Sequence, residues 1–452
     1  MAEITQSAHV TAEVSRRQLF RAVLASTVGT SIEWYDFFLY GFAASTIFAN
    51  LYFSKSNPTT GLLLSLGTYF GGFAARPVGA AIFGHYGDRI GRKATLIITL
   101  MLMGIATFLV GLVPTYAQIG IWGGIILTVL RLLQGIGVGG EWAGSVLLST
   151  EWGKPAGGRR GFLGSWPQFG VPVGLVLGYT MLKLFQPIDP YWGWRIPFLF
   201  SIVLVGVGLY IRLGVLETPI FARVVEQRKV EQVPVVEVIR RNWREIILSA
   251  LLRTGQQAPF YIFTVYVLTY TTKVLKFSSG EIYTDVIVAS VLSLFTVLFW
   301  GYLSDIVGRK RLYVTGATVM LVWSFIYWPL LDTRAPALVF LAIVLALPIH
   351  DMQYGPQASF IAESFTGRLR YSGASLGYQL ASITAGGPAP LIAVWLFSTY
   401  KSSFAIAVYM AITALISIGA ALALKDRSKQ DYAVEYDEGV PGAATAPHPA
   451  FP

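Results

Sequence analysis

The chain has 452 residues, 54% of them hydrophobic and 14% aromatic, with only 13% charged. A soluble protein carries about 25% charged residues, so the composition points away from a soluble domain. The complete lack of cysteine excludes disulfides, thiolate metal sites and cysteine nucleophiles. The net charge of +10 does not point to nucleic acid, because the basic residues lie in connections between apolar runs.

Those runs are about 20 residues long, enough to cross a hydrocarbon core of roughly 30 Å as helix. They are continuous rather than alternating, which argues against a β-barrel. The predicted fold is all-α and integral to the membrane, with twelve transmembrane helices in two six-helix bundles. The spans fall at about 22–52, 61–86, 94–114, 118–149, 160–184, 194–215, 246–275, 283–304, 311–331, 336–363, 371–398 and 402–424. Residues 1–21 form an N-terminal tail, of which 1–15 are polar and expected to be disordered. The first bundle is 22–215, the charged stretch 216–245 is a linker, and the second bundle is 246–424. Residues 425–452 turn polar and then rich in Pro, Ala and Gly, as expected of a disordered tail. The first apolar run is too long for a cleaved signal and is interrupted by Glu33 and Asp36. It is expected to stay as a helix.

Of the 34 Lys and Arg, 23 fall in connections on one side, against six on the other. The bias of basic residues toward the cytoplasm then predicts that both termini, and the linker, are cytoplasmic.

Along the chain the polar residues inside spans stand out. Span 1 carries Glu33 and Asp36, three apart on one helical face. Two carboxylates at close range in a low dielectric are suited to taking up and releasing a proton. Alternatively, both pair structurally with Arg76 and Arg131. Span 4 carries Arg131, Gln134 and Glu141 on one face. An arginine inside the bilayer is stable only against a polar cavity or a partner, so Arg131 is expected in proton coupling or substrate binding, with a structural ion pair as the alternative. Gly135 to Gly140 spells G-x-G-x-x-G, but no strand precedes it and it lies deep in an apolar helix. Close helix packing is expected, not a dinucleotide site. In span 7, Arg253 has Gln256 and Tyr261 nearby. Its fork suits a carboxylate, though it could equally snorkel to the interface. Span 10 brings His350, Asp351 and Tyr354 beside helix-disturbing Gly355 and Pro356, the pattern of a cavity-lining helix.

Two features repeat. Gly84-His-Tyr-Gly-Asp88-Arg89-Ile-Gly91-Arg92-Lys93 recurs from Gly301 as Gly-Tyr-Leu-Ser-Asp305-Ile306-Val-Gly-Arg309-Lys310, 217 residues later. Glu151, Arg159 and Gln168 are followed at offsets of 212, 211 and 211 by Glu363, Arg370 and Gln379. Parallel repeats of this kind relate the halves of one large transporter fold. A cytoplasmic gate is expected from Asp88, Arg89, Arg92, Glu151, Asp305, Arg309 and Glu363. Ile306 replaces the counterpart of Arg89, which suggests that the C-terminal latch is the weaker of the two.

Taken together, Glu33-Trp-Tyr-Asp36-Phe, Ala75-Arg76-Pro77, the first loop motif, Arg131 to Glu141, Trp192 to Phe198, His350-Asp351-Met and Arg370 to Gln379 resemble the metabolite:proton symporter family of the major facilitator superfamily. That family includes shikimate, α-ketoglutarate, citrate and proline/betaine permeases. The resemblance covers about residues 20–424, and span 6, His350-Asp351-Met and the Arg370 run look most like the shikimate type. It implies proton-coupled import of a small organic acid across the bacterial inner membrane by alternating access. Arg76, Arg131, Gln134, Arg253, Gln256, Tyr261, His350 and Tyr354 are the expected substrate residues, and Glu33, Asp36, Arg131 and Glu141 the coupling residues. The partners are then a carboxylate substrate, protons and the bilayer, with no nucleic acid. A monomer is expected, and no cofactor or metal, the proton gradient being the driving force. The competing readings are symport of betaine or proline, export of drugs or metabolites, and a transporter-like receptor. No phosphate-binding loop for an ATP-driven pump and no enzyme constellation is present.

Overall fold

The computed structural model describes residues 2–90, 92–151, 159–189, 191–214, 234–366 and 369–430. Among them the chain forms twelve long helical rods. In chain order they are α1 (Ala2–Thr46), α2 (Pro58–Ile90), α3 (Arg92–Val110), α4 (Trp122–Glu151), α5 (Arg160–Phe185) and α6 (Arg195–Leu213). The second set is α7 (Pro234–Tyr261), α8 (Ser279–Val307), α9 (Arg309–Asp332), α10 (Pro336–Ala362), α11 (Arg370–Ala381) and α12 (Phe404–Ala423). Rod α7 runs on through two π-helical turns, Ile262–Tyr266 and Tyr270–Val274, and α11 continues through Ser382–Gly386 into Pro388–Tyr400.

Nine of the described helices are apolar enough, over a sufficient length, to cross a membrane. Rods α1, α2 and α7 are not among them. They hold Glu33, Asp36, Arg76 and Arg253, all buried, and these interior charges lower their apolarity.

Two sequence expectations change here. Helix α1 begins at Ala2, where a disordered tail was expected; no Gly or Pro precedes Gly29, so nothing in the sequence stops the helix. At the other end, residues 425–430 are tied to the bundle, as described below. The expected linker lies mostly outside the described residues, and its last part, from Pro234, is the start of α7.

Packing repeats with an offset of six helices. Rod α2 packs on α4 as α8 does on α10, α1 on α5 as α7 on α11, and α3 on α6 as α9 on α12. Across the two sets α5 runs along α8 and α10, and α11 along α2 and α4. The two sets therefore meet through exchanged equivalents, the geometry of a pseudo-two-fold. Glycines set the closest approach. A Cβ on Gly135 would strike the Gly72 carbonyl, and one on Gly139 the Arg76 carbonyl. The G-x-G-x-x-G run thus lets α2 and α4 touch backbone to backbone, which fixes Arg76 and Arg131 close together.

Candidate functional site

At the end of the bundle that carries the loop motifs, the second motif closes a network across the two halves. The Asp305 carboxylate accepts the backbone N–H groups of Gly161 and Phe162, both at 2.9 Å. These are free donors in the first turn of α5, where a negative charge is favoured. Arg309 donates to Asp305 at 2.7 Å, to the Ser304 hydroxyl at 2.7 Å and to Glu363 at 3.3 Å. Arg160 of α5 reaches the same Glu363 at 3.3 Å. The structure therefore brings together Asp305, Arg309 and Glu363 and adds Arg160. Ile306 is 64% exposed and stands outside the network, so its departure from the motif removes none of these contacts. The side chains of Asp88, Arg89, Arg92 and Glu151 lie outside the described residues.

The chain after α12 adds a strap over this lock. Arg160 donates to the Ser428 and Gln430 carbonyls at 2.7 and 2.9 Å. Lys310 donates its backbone N–H to Asp426 at 3.0 Å and its ammonium to the Leu422 and Leu424 carbonyls. The opposite end is closed as well. Tyr179 donates to the Thr264 carbonyl, Tyr283 to Gln186 at 3.1 Å and Lys183 to Thr284 at 2.5 Å.

Between these closures lies a belt of buried polar groups, several of whose atoms make no hydrogen bond. Arg76 is 1% exposed, and none of its three guanidinium nitrogens makes a hydrogen bond of good geometry, the Tyr261 hydroxyl being a polar neighbour. Its guanidinium lies 4.1 Å from the Phe37 ring centroid, 4.6 Å from Phe73 and 5.5 Å from Trp34, a cation–π cage. Arg131 lies over Phe37, Tyr40 and Tyr69, at 3.9, 4.5 and 4.7 Å. It donates to Gln134 at 2.8 Å, and Gln134 donates to Thr107 at 2.6 Å. Neither oxygen of Asp36 makes a hydrogen bond of good geometry, though the Thr107 hydroxyl is close by, and Glu33 Oε2 is likewise without one. No ion pair within 4.0 Å joins Glu33 or Asp36 to Arg76 or Arg131 among the described residues, although Arg76 lies near enough to Glu33, and Arg131 to Asp36, for their charges to act on one another.

From the other half, Arg253 is 1% exposed and does not reach the interface. It lies over the Tyr378 ring, donating to that residue's carbonyl at 2.6 Å. Gln256 contacts His350 Nε2 at 2.6 Å, and His350 Nδ1 lies 3.0 Å from Asp351, which also accepts the Thr296 hydroxyl at 2.5 Å. The Gln256 side-chain oxygen and the hydroxyls of Tyr69, Tyr261 and Tyr354 are buried without partners. Tyr261 packs edge-on against Phe73 with ring centroids 4.9 Å apart, so this belt spans the seam.

Glu141 is different. Arg212 of α6 makes a two-pronged ion pair with it, and Thr99 donates to it at 2.8 Å. Its acceptor atoms are engaged within one half, and the same Arg212 charge also acts on Glu33. Sequence reading missed Arg212 as its partner; the signal was a basic residue buried at the end of a span that has no acid of its own.

Among the described residues, two like helical halves closed at both ends around buried charges have the architecture of a multi-pass membrane transporter. The chain belongs to the Major Facilitator Superfamily, which it matches over residues 27–387. Among its relatives is the inner membrane metabolite transport protein YhjE of Escherichia coli K12, 37% identical, with 89% of this chain and 93% of that protein covered. The shikimate transporter of the same organism is 36% identical, covering 90% and 95%. A proline/betaine transporter of Salmonella typhimurium is 30% identical, covering 91% and 85%. The solved proton:xylose symporter XylE, bound to 6-bromo-6-deoxy-D-glucose, superposes with a TM-score of 0.73 at 18% identity, covering 90% and 95%. That likeness shows the shared fold.

Proposed function

We propose that the protein imports a small organic acid together with protons across the bacterial inner membrane, by alternating access, with both termini in the cytoplasm. The observation that carries this reading is Arg76. A buried guanidinium with no hydrogen-bond partner is costly, and a carboxylate would satisfy its donors two at a time. Arg131 and Arg253 each keep further unpartnered donor atoms beside the belt, and tyrosine hydroxyls and the Gln256 amide offer neutral hydrogen bonds. Glu33 and Asp36 are acids with no fixed cation, the condition for a carboxyl group that gains and loses protons as the halves rock. The likeness to a shikimate transporter supports an organic acid.

The relatives that carry proline and betaine raise a second reading. A quaternary ammonium seeks an aromatic cage. Here the rings of Trp34, Phe37 and Phe73 are already covered by Arg76, and a second cation beside it would be repelled. That favours the acid.

The test is uptake of a panel of radiolabelled carboxylates into proteoliposomes under an imposed pH gradient, with unlabelled betaine and proline as competitors. Carboxylates should accumulate and compete with one another. Competition by betaine alone, or accumulation only under an outward-directed reaction cycle, would overturn the reading. Orientation is tested separately, by a C-terminal reporter that fluoresces only in the cytoplasm.

A further inference from the structure

Beyond the transport path, at the end of the bundle that carries the loop motifs, a cleft of about 150 Å³ opens between the start of α7 and the chain leaving α12. Arg244, Lys425 and Arg427 line it, against one acid, Glu245. The side chains of Arg244 and Lys425 are exposed, and neither makes an ion pair or hydrogen bond among the described residues. Arg427 is held in place by donating to the Ser364 carbonyl at 3.2 Å. The inner wall is apolar, formed by Leu248, Ala423 and Leu424.

The surroundings continue this change from charged to apolar. Outward-facing Ile247, Leu251 and Leu422 are 45%, 40% and 57% exposed. Trp243, 55% exposed, sits next to the kink at Asn242, where φ is −118°. An exposed tryptophan beside a belt of arginine and lysine marks the level of the lipid headgroups.

We propose that this cleft binds the headgroup phosphate of an anionic phospholipid. The Arg244 fork and the Lys425 ammonium take the phosphodiester, Arg427 adds a third positive charge, and Glu245 faces the headgroup hydroxyls. The acyl chains continue onto the apolar faces of α7 and α12. A free phosphate has no use for that apolar wall, which is why the lipid is the favoured source. Such a lipid would also steady the segment whose Ser428 and Gln430 carbonyls hold Arg160.

The experiment uses the purified full chain in detergent, titrated with phosphatidylglycerol, phosphatidylcholine or inorganic phosphate. Bound lipid is read by native mass spectrometry and stabilisation by thermal unfolding. Phosphatidylglycerol should bind and raise Tm, and the double variant Arg244→Gln/Lys425→Gln should bind it roughly thirty-fold more weakly. Lys401→Gln, at the opposite end, should leave binding unchanged. Leu248→Trp keeps every charge but fills the cleft, and should also lose the lipid. Equal binding by the double variant, equal binding of phosphatidylcholine, or equal protection by inorganic phosphate would each overturn the proposal.

Discussion

Asp305 and Gly161 stand on opposite halves of the molecule, and the Asp305 carboxylate accepts the Gly161 backbone N–H at 2.9 Å. A side chain from one half thus caps a helix of the other. The cap can hold only while the two halves are closed at this end. Asp305→Asn keeps the shape but removes the charge that the helix terminus and Arg309 both favour. The chain has no cysteine, so a single cysteine at buried Ser165, which faces Gly301 across this contact, reports opening cleanly. Maleimide labelling of Ser165→Cys should quicken about tenfold when Asp305→Asn is added, for a loss of roughly 1.4 kcal/mol. An unchanged labelling rate would show that the cap does not hold the closed state.

Glu141 and the central acids should separate by experiment. With Arg212 and Thr99 on its oxygens, Glu141 is expected to hold α3, α4 and α6 together. Glu141→Ala leaves a buried arginine unpaired and should cost about 3–5 kcal/mol of stability. Asp36→Asn should leave stability nearly unchanged, keep substrate exchange at equal pH, and abolish accumulation driven by a pH gradient. Accumulation with unaltered pH dependence in Asp36→Asn would remove Asp36 from the coupling step.

The glycine contact between α2 and α4 predicts a steep response to small additions. Gly135→Ala places a Cβ against the Gly72 carbonyl, backbone that cannot turn aside. Overpacking of this kind costs about 1–3 kcal/mol and pushes Arg131 off its rings. Thermal unfolding should show a lowered Tm, and transport should fall further than Tm alone explains. Gly67→Ala, which meets open space on α2, should do neither.

The strap has a defined pH range. Burial alone would raise the Asp426 carboxyl, but hydrogen bonds from the Ser428 side chain and backbone and from the Lys310 backbone, together with the Arg309 charge, hold it below the usual carboxylate range. A lowered folded-state pKa means the contact is at full strength above the usual carboxylate pKa and is lost only as pH falls through the lowered value. Removal of residues 431–452 should leave labelling of Ser165→Cys unchanged, whereas removal of 425–452 should speed it, by the same factor at pH 5 and pH 8. A strap effect that vanished by pH 5 would show that Asp426 is not its anchor.

Much of this was legible in the sequence because a bilayer makes charge expensive. Glu33, Asp36, Arg76, Arg131 and Arg253 stood out as polar residues in apolar runs, and all five are buried. The repeat gave Asp305, Arg309 and Glu363 as a group because their spacing matched a first copy. Partnership was not legible. Glu141 stood out as an interior acid, but its partner Arg212, 71 residues away, did not, and Arg253 could equally have snorkelled. Pairing depends on which helix faces meet, and twelve helices of similar apolarity leave that open to a reading along one chain. The exposed placing of Ile306 was hidden for the same reason: a motif position says nothing about which side of the helix faces the lock.

The proposed role of Arg76 is to receive the substrate carboxylate. Uptake of a labelled carboxylate into proteoliposomes under an imposed pH gradient, comparing the wild type with Arg76→Lys and Arg76→Gln, puts that role to the test. Losing a charged hydrogen-bond pair in a buried site costs about 2–5 kcal/mol, so Arg76→Gln should raise the half-saturating concentration at least thirtyfold while thermal stability holds or rises. Arg76→Lys should fall between, since an ammonium lacks the fork. Wild-type affinity in Arg76→Gln, in protein of unchanged stability, would contradict the account.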